Sequence, residues 1–445
     1  MASDLLSIAA SGARAARSAL DVTAQNIANA ASDGYVRRSV RMEEVSASGG
    51  LGRVGDLSLS GVRIDGISRN ADMFRQAEVR RTNSDATRAA TELAGLENIE
   101  SAVEQAGIFS AIVEFESALR QLEADPVDSS LRAAVVAAAE TMAGKFNIAA
   151  ESLASAVAGA QFQADASVNE ANVIAAELAR INVRLARAGA GSSDRASLLD
   201  QRDLMLERLS GITEAHATFG PDGGVTVRVG GSAGPLLVSG GTSEAFAMTL
   251  AADGTPNFAV GGTPVSPGGG ALAGHALALN EAVQVGAALD QLAADIAALV
   301  NGSQTSGVAL DGSAGQPMFT GTTAATLRTA LGDGRLVATA PAGSPAGSRD
   351  ASQLIGLRTA FETGGVAERM NGIMFGISSR VAGHKITAEA LDAIAASARI
   401  SLEQQAGVDL DTEAANLIRY QQAFQASGRA MQVASDIFDT LIGIG

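Results

Sequence analysis

Residues 409–445 read DLDTEAANLIRYQQAFQASGRAMQVASDIFDTLIGIG. Steps of seven from Leu410 land on Leu410, Leu417, Phe424, Met431 and Phe438, and three to four positions beyond each lie Ala414, Gln421, Gly428, Ser435 and Ile442. A repeat near 3.5 residues is one apolar seam on a long helix, flanked by small or uncharged residues. A helix with a single apolar side needs a partner, and no comparable seam stands immediately upstream at hairpin distance. The match is at the other end of the chain. Residues 2–31 carry Leu6, Ala13, Leu20 and Ile27 in one seven-step, with Ala9, Ala16, Thr23 and Ala30 in the other. The N-terminal strip is narrow and Ala-rich, so a second helix can approach closely, and the C-terminal strip supplies bulk. Charge agrees: residues 1–41 hold five Arg against three Asp (+2), and residues 400–445 hold six acids against two Arg (−4). The two termini are expected to pack as a helical pair, antiparallel or parallel; two separate surface helices are the plainer alternative.

At 445 residues the chain has room for two to four domains. A net charge of −16, with Lys nearly absent beside Arg, argues against nucleic acid as a partner. Without Cys, neither a disulfide nor a thiolate metal site is possible. Asp4 and Arg14 interrupt any candidate leader, and no uncharged apolar run of about 18 residues is evident, so no membrane insertion is expected. Composition alone therefore points to a soluble, cytoplasmic protein.

Between the termini the pattern is nested, and the expected class is mainly α with inserted β. An elongated, multi-domain molecule is implied: a long bundle of terminal and central helices, with a small β domain in the middle of the chain. Asn29 and Asp33-Gly34 end the first helix. Residues 49–66 are Gly-rich with short alternating runs at Leu57, Leu59, Val62 and Ile64, suited to hairpins. Helical periods follow from Asp72 to Gly107, from Phe109 to Leu122, and from Leu131 to Leu185, the last being nearly 60 residues if unbroken. Asp125-Pro126 is the expected N-cap of that long helix, and Ser193 or Asp194 that of the next. The period then changes to two: strands are expected at Val225–Val229, Leu236–Val238, Ala245–Leu250 and Asn257–Val260, closed by Gly/Pro/Ser-rich residues 261–274. Helices resume at Asn280–Asn301, Ala351–Phe361 and Ile386–Ala406, around a Gly/Ala-rich stretch with one strand at Arg335–Thr339. The implied division is 1–62 with 400–445 as a terminal coiled-coil domain, disordered in the monomer; 63–212, 272–302 and 350–399 as a helical rod; 213–271 as a β-rich outer domain; and 303–349 as a β/loop segment.

Three motifs invite chemistry. Gly230-Gly-Ser232-Ala-Gly234 matches the G-x-S-x-G elbow, which would make Ser232 a hydrolase nucleophile. The motif needs a following helix, but Pro235-Leu-Leu-Val238 reads as a strand, and no spacing ties His216, His275 or His384 to the serine. Asp409, Asp411 and Glu413 lack the Gly and distal Glu of a calcium loop, and read as acids in a helix's first turn. Arg37-Arg38 and Arg41 read as a solvated strand face or a contact to an acidic neighbour. No catalytic, cofactor or metal site is expected.

Longer stretches carry a resemblance. Ser11-Gly-Ala-Arg-Ala-Ala-Arg-Ser-Ala-Leu20, Asn26-Ile-Ala-Asn29 and Gly34-Tyr35 at one end resemble the flagellar axial family of rod, hook and hook-associated proteins. So do Gly407-Val-Asp-Leu-Asp-Thr-Glu-Ala-Ala-Asn416-Leu, Tyr420-Gln-Gln-Ala-Phe424 and Phe438-Asp-Thr-Leu441 at the other. Asp125-Pro126 with Leu131-Arg132, and Leu198-Leu-Asp200-Gln-Arg-Asp203, resemble internal marks of its hook-associated protein 1 (hook–filament junction) branch. The resemblance implies a structural adaptor, not an enzyme, joining hook to filament and exported through the flagellar type III apparatus without a cleaved signal peptide. It moves the expected location from the cytoplasm to the extracellular flagellum. Implied partners are identical subunits in a junction ring, hook protein, hook-associated protein 3 and an export chaperone. The termini alone fit hook-associated protein 3, hook protein or a flagellin-like subunit equally. The expected assembly interface is Leu6, Ala13, Leu20, Asn26, Ile27, Asn29, Gly34 and Tyr35 with Leu410, Leu417, Phe424, Met431, Phe438 and Leu441.

Overall fold

The computed structural model describes residues 2–44 and 61–443, with the side chains of 2–4 and 441–443 outside that set. The candidates Leu57 and Leu59, and the side chains of Leu441 and Ile442, therefore lie outside the described residues. Helix α1 (Ala2–Ala28) leads into a two-stranded antiparallel ribbon, β1 (Arg38–Glu44) and β2 (Val62–Arg69). Helices α2 (Met73–Glu104), α3 (Ile108–Ala124), α4 (Ser129–Leu185) and α5 (Ser193–Ile212) follow. Asp72 caps α2, accepting from the amides of Phe74 and Arg75. The caps of the next two long helices fall beside the expected ones. Asp128, not Asp125, accepts from Ser130 and Leu131 to start α4, and Ser192, not Ser193 or Asp194, accepts from Arg195 to start α5.

At about 1.5 Å per residue, α4 is a rod of roughly 85 Å, and two large apolar cores sit along it, with a smaller third of Ile181, Leu185 and Leu198. Val135, Met142, Phe146 and Leu153 belong to the first, with α2 and α3. Ala164, Ile174 and Leu178 belong to the second, with Leu206 and Leu209 of α5. Seven short antiparallel strands complete the second core. β3 (Ala215–Phe219), β4 (Val225–Val229), β5 (Leu236–Ser239) and β6 (Thr242–Ser243) form one sheet; β7 (Phe246–Leu250), β8 (Pro256–Val260) and β9 (Thr263–Val265) form another. In β4, Val225, Val227 and Val229 are buried and Thr226 and Arg228 are not, the alternation a half-buried strand requires. The β segment leaves and rejoins the helices at one point, where Glu214 N–H donates to Gly269 O at 3.2 Å. A Cβ on Gly270, which has φ +73°, would stand 2.4 Å from the Ile212 carbonyl carbon.

Helix α6 (Gly270–Ser306) starts ten residues before the expected Asn280 and takes up the end of the 261–274 stretch read as loop. By length and composition it is apolar enough to cross a membrane, although Glu281, Asp290 and Asp295 interrupt it. Its apolar side chains are spent inside the molecule: Leu272 lies in the second core, and Leu289, Leu292, Ile296 and Val300 in the first. The following segment holds β10 (Gly307–Val308) paired with β13 (Ala340–Pro341), and β11 (Phe319–Thr320) paired with β12 (Arg328–Thr329). Where a strand was expected at 335–339, a 3-10 turn spans Gly334–Leu336. The reason is Arg132. Its buried guanidinium donates to the carbonyls of Pro126 (2.6 Å), Gly334 (3.3 Å) and Val337 (2.7 Å) and to Thr339 Oγ1 (2.9 Å), drawing those backbone acceptors away from any ladder. Helices α7 (Ser352–Gly364), α8 (Val366–Ala406) and α9 (Leu410–Gly443) finish the chain. α8 begins twenty residues earlier than its periodicity revealed; Gly365, in the left-handed conformation, separates it from α7. The class is mainly α with long terminal and central helices and sheets inserted in the middle.

Candidate assembly site: the terminal helix pair and its joint

A Cβ on Gly12 would lie 3.1 Å from Ser427 Oγ, and Asn26 Nδ2 donates to Glu413 Oε2 at 3.2 Å. Moving on along α1 moves back along α9 by the same distance, so the two termini pair antiparallel. The Ala-rich strip permits the approach. Ala9, Ala13, Ala16, Ala19 and Thr23 are buried, while Leu20 and Ile27 are half-buried. Ala15 and Val22 are buried as well. α1 also meets the ribbon, where Val62 N–H donates to Ser11 Oγ at 3.2 Å.

On α9 the seam is half as expected. Leu417 and Met431 are half-buried, but the second line runs through Glu413, Tyr420, Ser427 and Ala434, one residue before the expected Ala414, Gln421, Gly428 and Ser435. Alternating steps of three and four from Leu410 give this second line, the a and d positions of a heptad. Leu6, Leu410, Phe424 and Phe438 stay exposed; the two phenylalanines are 43% and 50% accessible. Leu5, Ile8, Val433 and Ile437 add to this uncovered apolar surface.

Polar residues fix where the pair meets the body. Asn26, buried in α1, uses all four of its hydrogen-bonding positions. Its Oδ1 accepts from Tyr35 O–H (2.9 Å) and Arg38 N–H (3.0 Å), and its Nδ2 donates to Arg38 O (2.9 Å) and to Glu413. Glu413, 1% exposed, also accepts from Arg37 Nε at 2.7 Å. It is thus a first-turn acid, as the sequence implied, and also a buried partner of the N-terminal segment. The capping is done by Asp409, which accepts from the amides of Asp411 and Thr412. Gly34 takes φ +73°, and a Cβ there would stand 3.2 Å from Leu204, so the turn before Tyr35 needs glycine on two counts. Asn29 bonds back to Gln25 O at 2.9 Å, closing the end of α1. Burial pushes the Tyr35 phenol up, against the opposing pull of Arg38, whose guanidinium lies 4.9 Å from the ring centroid.

One layer inward, the acids of α5 receive the arginines of the ribbon. Asp200 accepts from Arg38 (2.6 Å) and Arg69 (2.7 Å); Asp203 accepts from Arg69 (2.8 Å), Arg202 (2.6 Å) and Gln76 (3.2 Å). Burial pushes the Asp200 carboxyl up, and Arg69 and Arg38 oppose it. The α8–α9 link is tied to the same place. Arg37 N–H donates to Ala406 O at 2.9 Å, and Asn70 Nδ2 and Arg75 Nε donate to Gln405 at 2.6 Å each. Of the joint's residues the sequence marked Asn26, Asn29, Gly34 and Tyr35 as interface, and gave a contact to an acidic neighbour as one reading of Arg37 and Arg38. Asp200 and Asp203 lay in a quoted motif without a role, and Arg69 gave no signal of its own.

Ser232 is exposed, in a turn between β4 and β5 with Gly230 and Gly231 at positive φ, so no strand-to-helix elbow forms. His384 Nδ1 stands 3.4 Å from Glu92 Oε1, remote in sequence from the serine. Among the described residues no group of three His, Cys, Asp or Glu could hold a metal ion.

Comparison with known proteins gives a consistent set. Residues 403–444 match the family described as Flagellar basal body rod FlgEFG protein C-terminal. Flagellar hook-associated protein 1 of Bacillus subtilis is 26% identical over 221 residues, 47% of this chain and 43% of that protein. The Escherichia coli protein of the same name is 28% identical over 252 residues, 55% of this chain and 45% of its own. The matched region thus spans less than half the length of these relatives. A solved structure, the flagellar hook junction protein FlgK from Burkholderia pseudomallei, aligns with a TM-score of 0.48 at 25% identity, covering 54% of this chain and 46% of that one. Residues 93–319, half of the chain, match the family described as Flagellar hook-associated protein FlgK helical domain, and the chain belongs to that family.

Proposed function

We propose that the chain is a structural adaptor at the junction of flagellar hook and filament, built into a ring of identical subunits through α1 and α9. The observation that carries this is the terminal pair itself: tightly tied to the body by buried polar bonds, yet with Leu6, Phe424 and Phe438 uncovered. Several large apolar side chains left exposed on an anchored element mark a contact with another protein. Identical subunits would cover it sideways, with hook protein on one side and hook-associated protein 3 on the other. In this reading residues 1–62 and 400–445 act as one assembly unit, ordered fully only when neighbours close over it, and 63–399 as the exterior. Export through the flagellar type III apparatus, with a chaperone, would deliver the chain outside the cell.

The test is Phe424→Asp, alone and with Phe438→Asp, in the full-length chain. Both side chains point away from the chain's own cores, so helix content and melting temperature should stay near wild type. Each charge buried at an apolar contact costs several kcal/mol, so motility and incorporation at the junction should be lost. Full-length flagella built from the double variant would refute the assignment of this face.

A further inference from the structure

Two uncharged faces lie on opposite sides of the helical body, one hollow and one raised. The hollow is an open groove of about 760 Å³ between α2 and α4, floored by α6. Gly95, Asn98 and Ala102 form one wall and Ser152, Ser155 and Gly159 the other, and among the described residues no acid, lysine or arginine lines it. Small side chains on both walls leave room for a helix to enter. His275, on the floor, is 7% exposed and makes no hydrogen bond or ion pair with a described residue, yet neither ring nitrogen is sealed from solvent. Burial pushes its pKa down, which keeps the floor neutral. The raised face is on α8. Ile377 turns into the first core and His384 towards Glu92 of α2. On the opposite side of that helix, Phe375, Ser379, Ala382, Ile386, Ala393 and Ile400 stand exposed in one line at helical spacing. Phe375 is 75% accessible and Ile386 70%. Helix α2 holds the two faces apart. Its Glu92 and Glu100 reach His384 and Ser378 of α8, and its Ala94 and Asn98 face the groove from about half a turn away.

We propose that the α8 ridge of one copy of the chain seats in the α2–α4 groove of the next. This rests on the assembly reading above and gives it a second contact, in the body instead of the terminal pair. Charge, shape and placement together select a second copy as the occupant. A chain of net charge −16 repels its own kind wherever carboxylates meet, so copies associate best across surface that carries none. The groove's small walls suit a ridge on which Ser and Ala separate Phe375, Ile386 and Ile400, and the hydroxyl of Ser379 brings a neutral partner of the kind His275 lacks. Lying on opposite sides of the body, the two faces cannot meet within one chain. Joined between copies they make a head-to-tail contact, which closes into a ring when its rotation permits.

The chain has no cysteine, so single thiols can mark each face of the full-length protein. Ser155→Cys labels the groove wall and Ala382→Cys the ridge, both at exposed positions. Where wild type assembles, a flexible bismaleimide should join a mixture of the two variants into mixed pairs. Each variant alone should give little product, and the double variant should give a ladder of linked copies. Ser155→Cys linked mainly to itself, or Ala382→Cys to itself, would mean that like faces meet. Assembled protein without links would put both faces outside the contact; any of these overturns the proposal. Ile386→Glu should leave the melting temperature of the isolated chain near wild type and raise the protein concentration needed for assembly, followed by light scattering, about tenfold or more. An unchanged assembly concentration would also overturn it. Mixed pairs that still form in an assembling Phe424→Asp chain would keep this contact while removing the terminal face. A wild-type chain that does not assemble would remove both.

Discussion

Glu413 and Arg132 show how far a single residue can be read before its neighbours are known. Glu413 lies four positions after the Asp409 cap, where the dipole of α9 already accounts for an acid, so nothing local hinted that Asn26 and Arg37 would bury it. Arg132 reads as one more polar position on a long helix. Its four acceptors come from residues just before α4 and from a segment some two hundred positions downstream. Gly34 was legible, because a left-handed turn is a property of the residue itself. For Arg132 the physics gives a clear expectation. Substitution by Met leaves the carbonyls of Pro126 and Val337 and the Thr339 hydroxyl without this donor, while Gly334 O keeps the Val337 amide, at about 1–3 kcal/mol for each group that water cannot reach. A lowered urea midpoint, with residues 330–340 newly open to protease, is expected. Arg132→Lys should rescue little, since one ammonium cannot span acceptors laid out for a planar fork.

Among elements, legibility followed the strength of the period. α4 runs as one helix of 57 residues, close to the length its apolar spacing implied, because side chains at 135, 142, 146 and 153 keep one face on the core without interruption. α8 was half hidden. Gly372, Gly376 and Gly383 lower the helix propensity of its first half, and a Cβ at each would meet nothing within 4 Å, so they sit on an open face of the helix. α6 was shortened in the reading because Gly270 and Gly274 resemble a loop, although Gly274 is the point where α6 and α2 touch: a Cβ there would be 2.6 Å from Arg88 O. The last helix differs from all of these in how little it buries within one chain. Among the described residues of α9, only Glu413 and Ala434 are buried, against seven in the shorter α3. Amide exchange on the isolated chain should therefore grade by element. α3 and residues 135–153 should open only with global unfolding, and residues 415–440 should exchange far faster, gaining protection on assembly. Equal protection of α9 and α3 in the monomer would contradict the view that neighbours complete the terminal pair.

At the scale of the molecule, the terminal pair communicates with the rod through a small polar joint, not through a shared apolar core. Asp200 is its centre. Arg38 brings the turn after α1, Arg69 brings the end of the ribbon, and both guanidiniums meet on the two oxygens of one buried carboxylate. Truncating one partner of a buried ionic cluster costs about 3–5 kcal/mol, because the charges left behind stay buried and unpaired. Asp200→Asn keeps the shape of the side chain, removes its charge, and leaves Asp203 to hold Arg69 alone. The change leaves every apolar side chain of the cores along α4 in place, so the cooperative melting of the body should move little. What should change is the coupling. Limited proteolysis should cut at residues 30–37 and 405–409 at least about tenfold faster than in wild type, releasing the terminal segments from an otherwise folded rod. A variant that unfolds as one unit, with cleavage spread through α2 to α6, would instead make Asp200 part of the body's own stability and would place no hinge between rod and terminal pair.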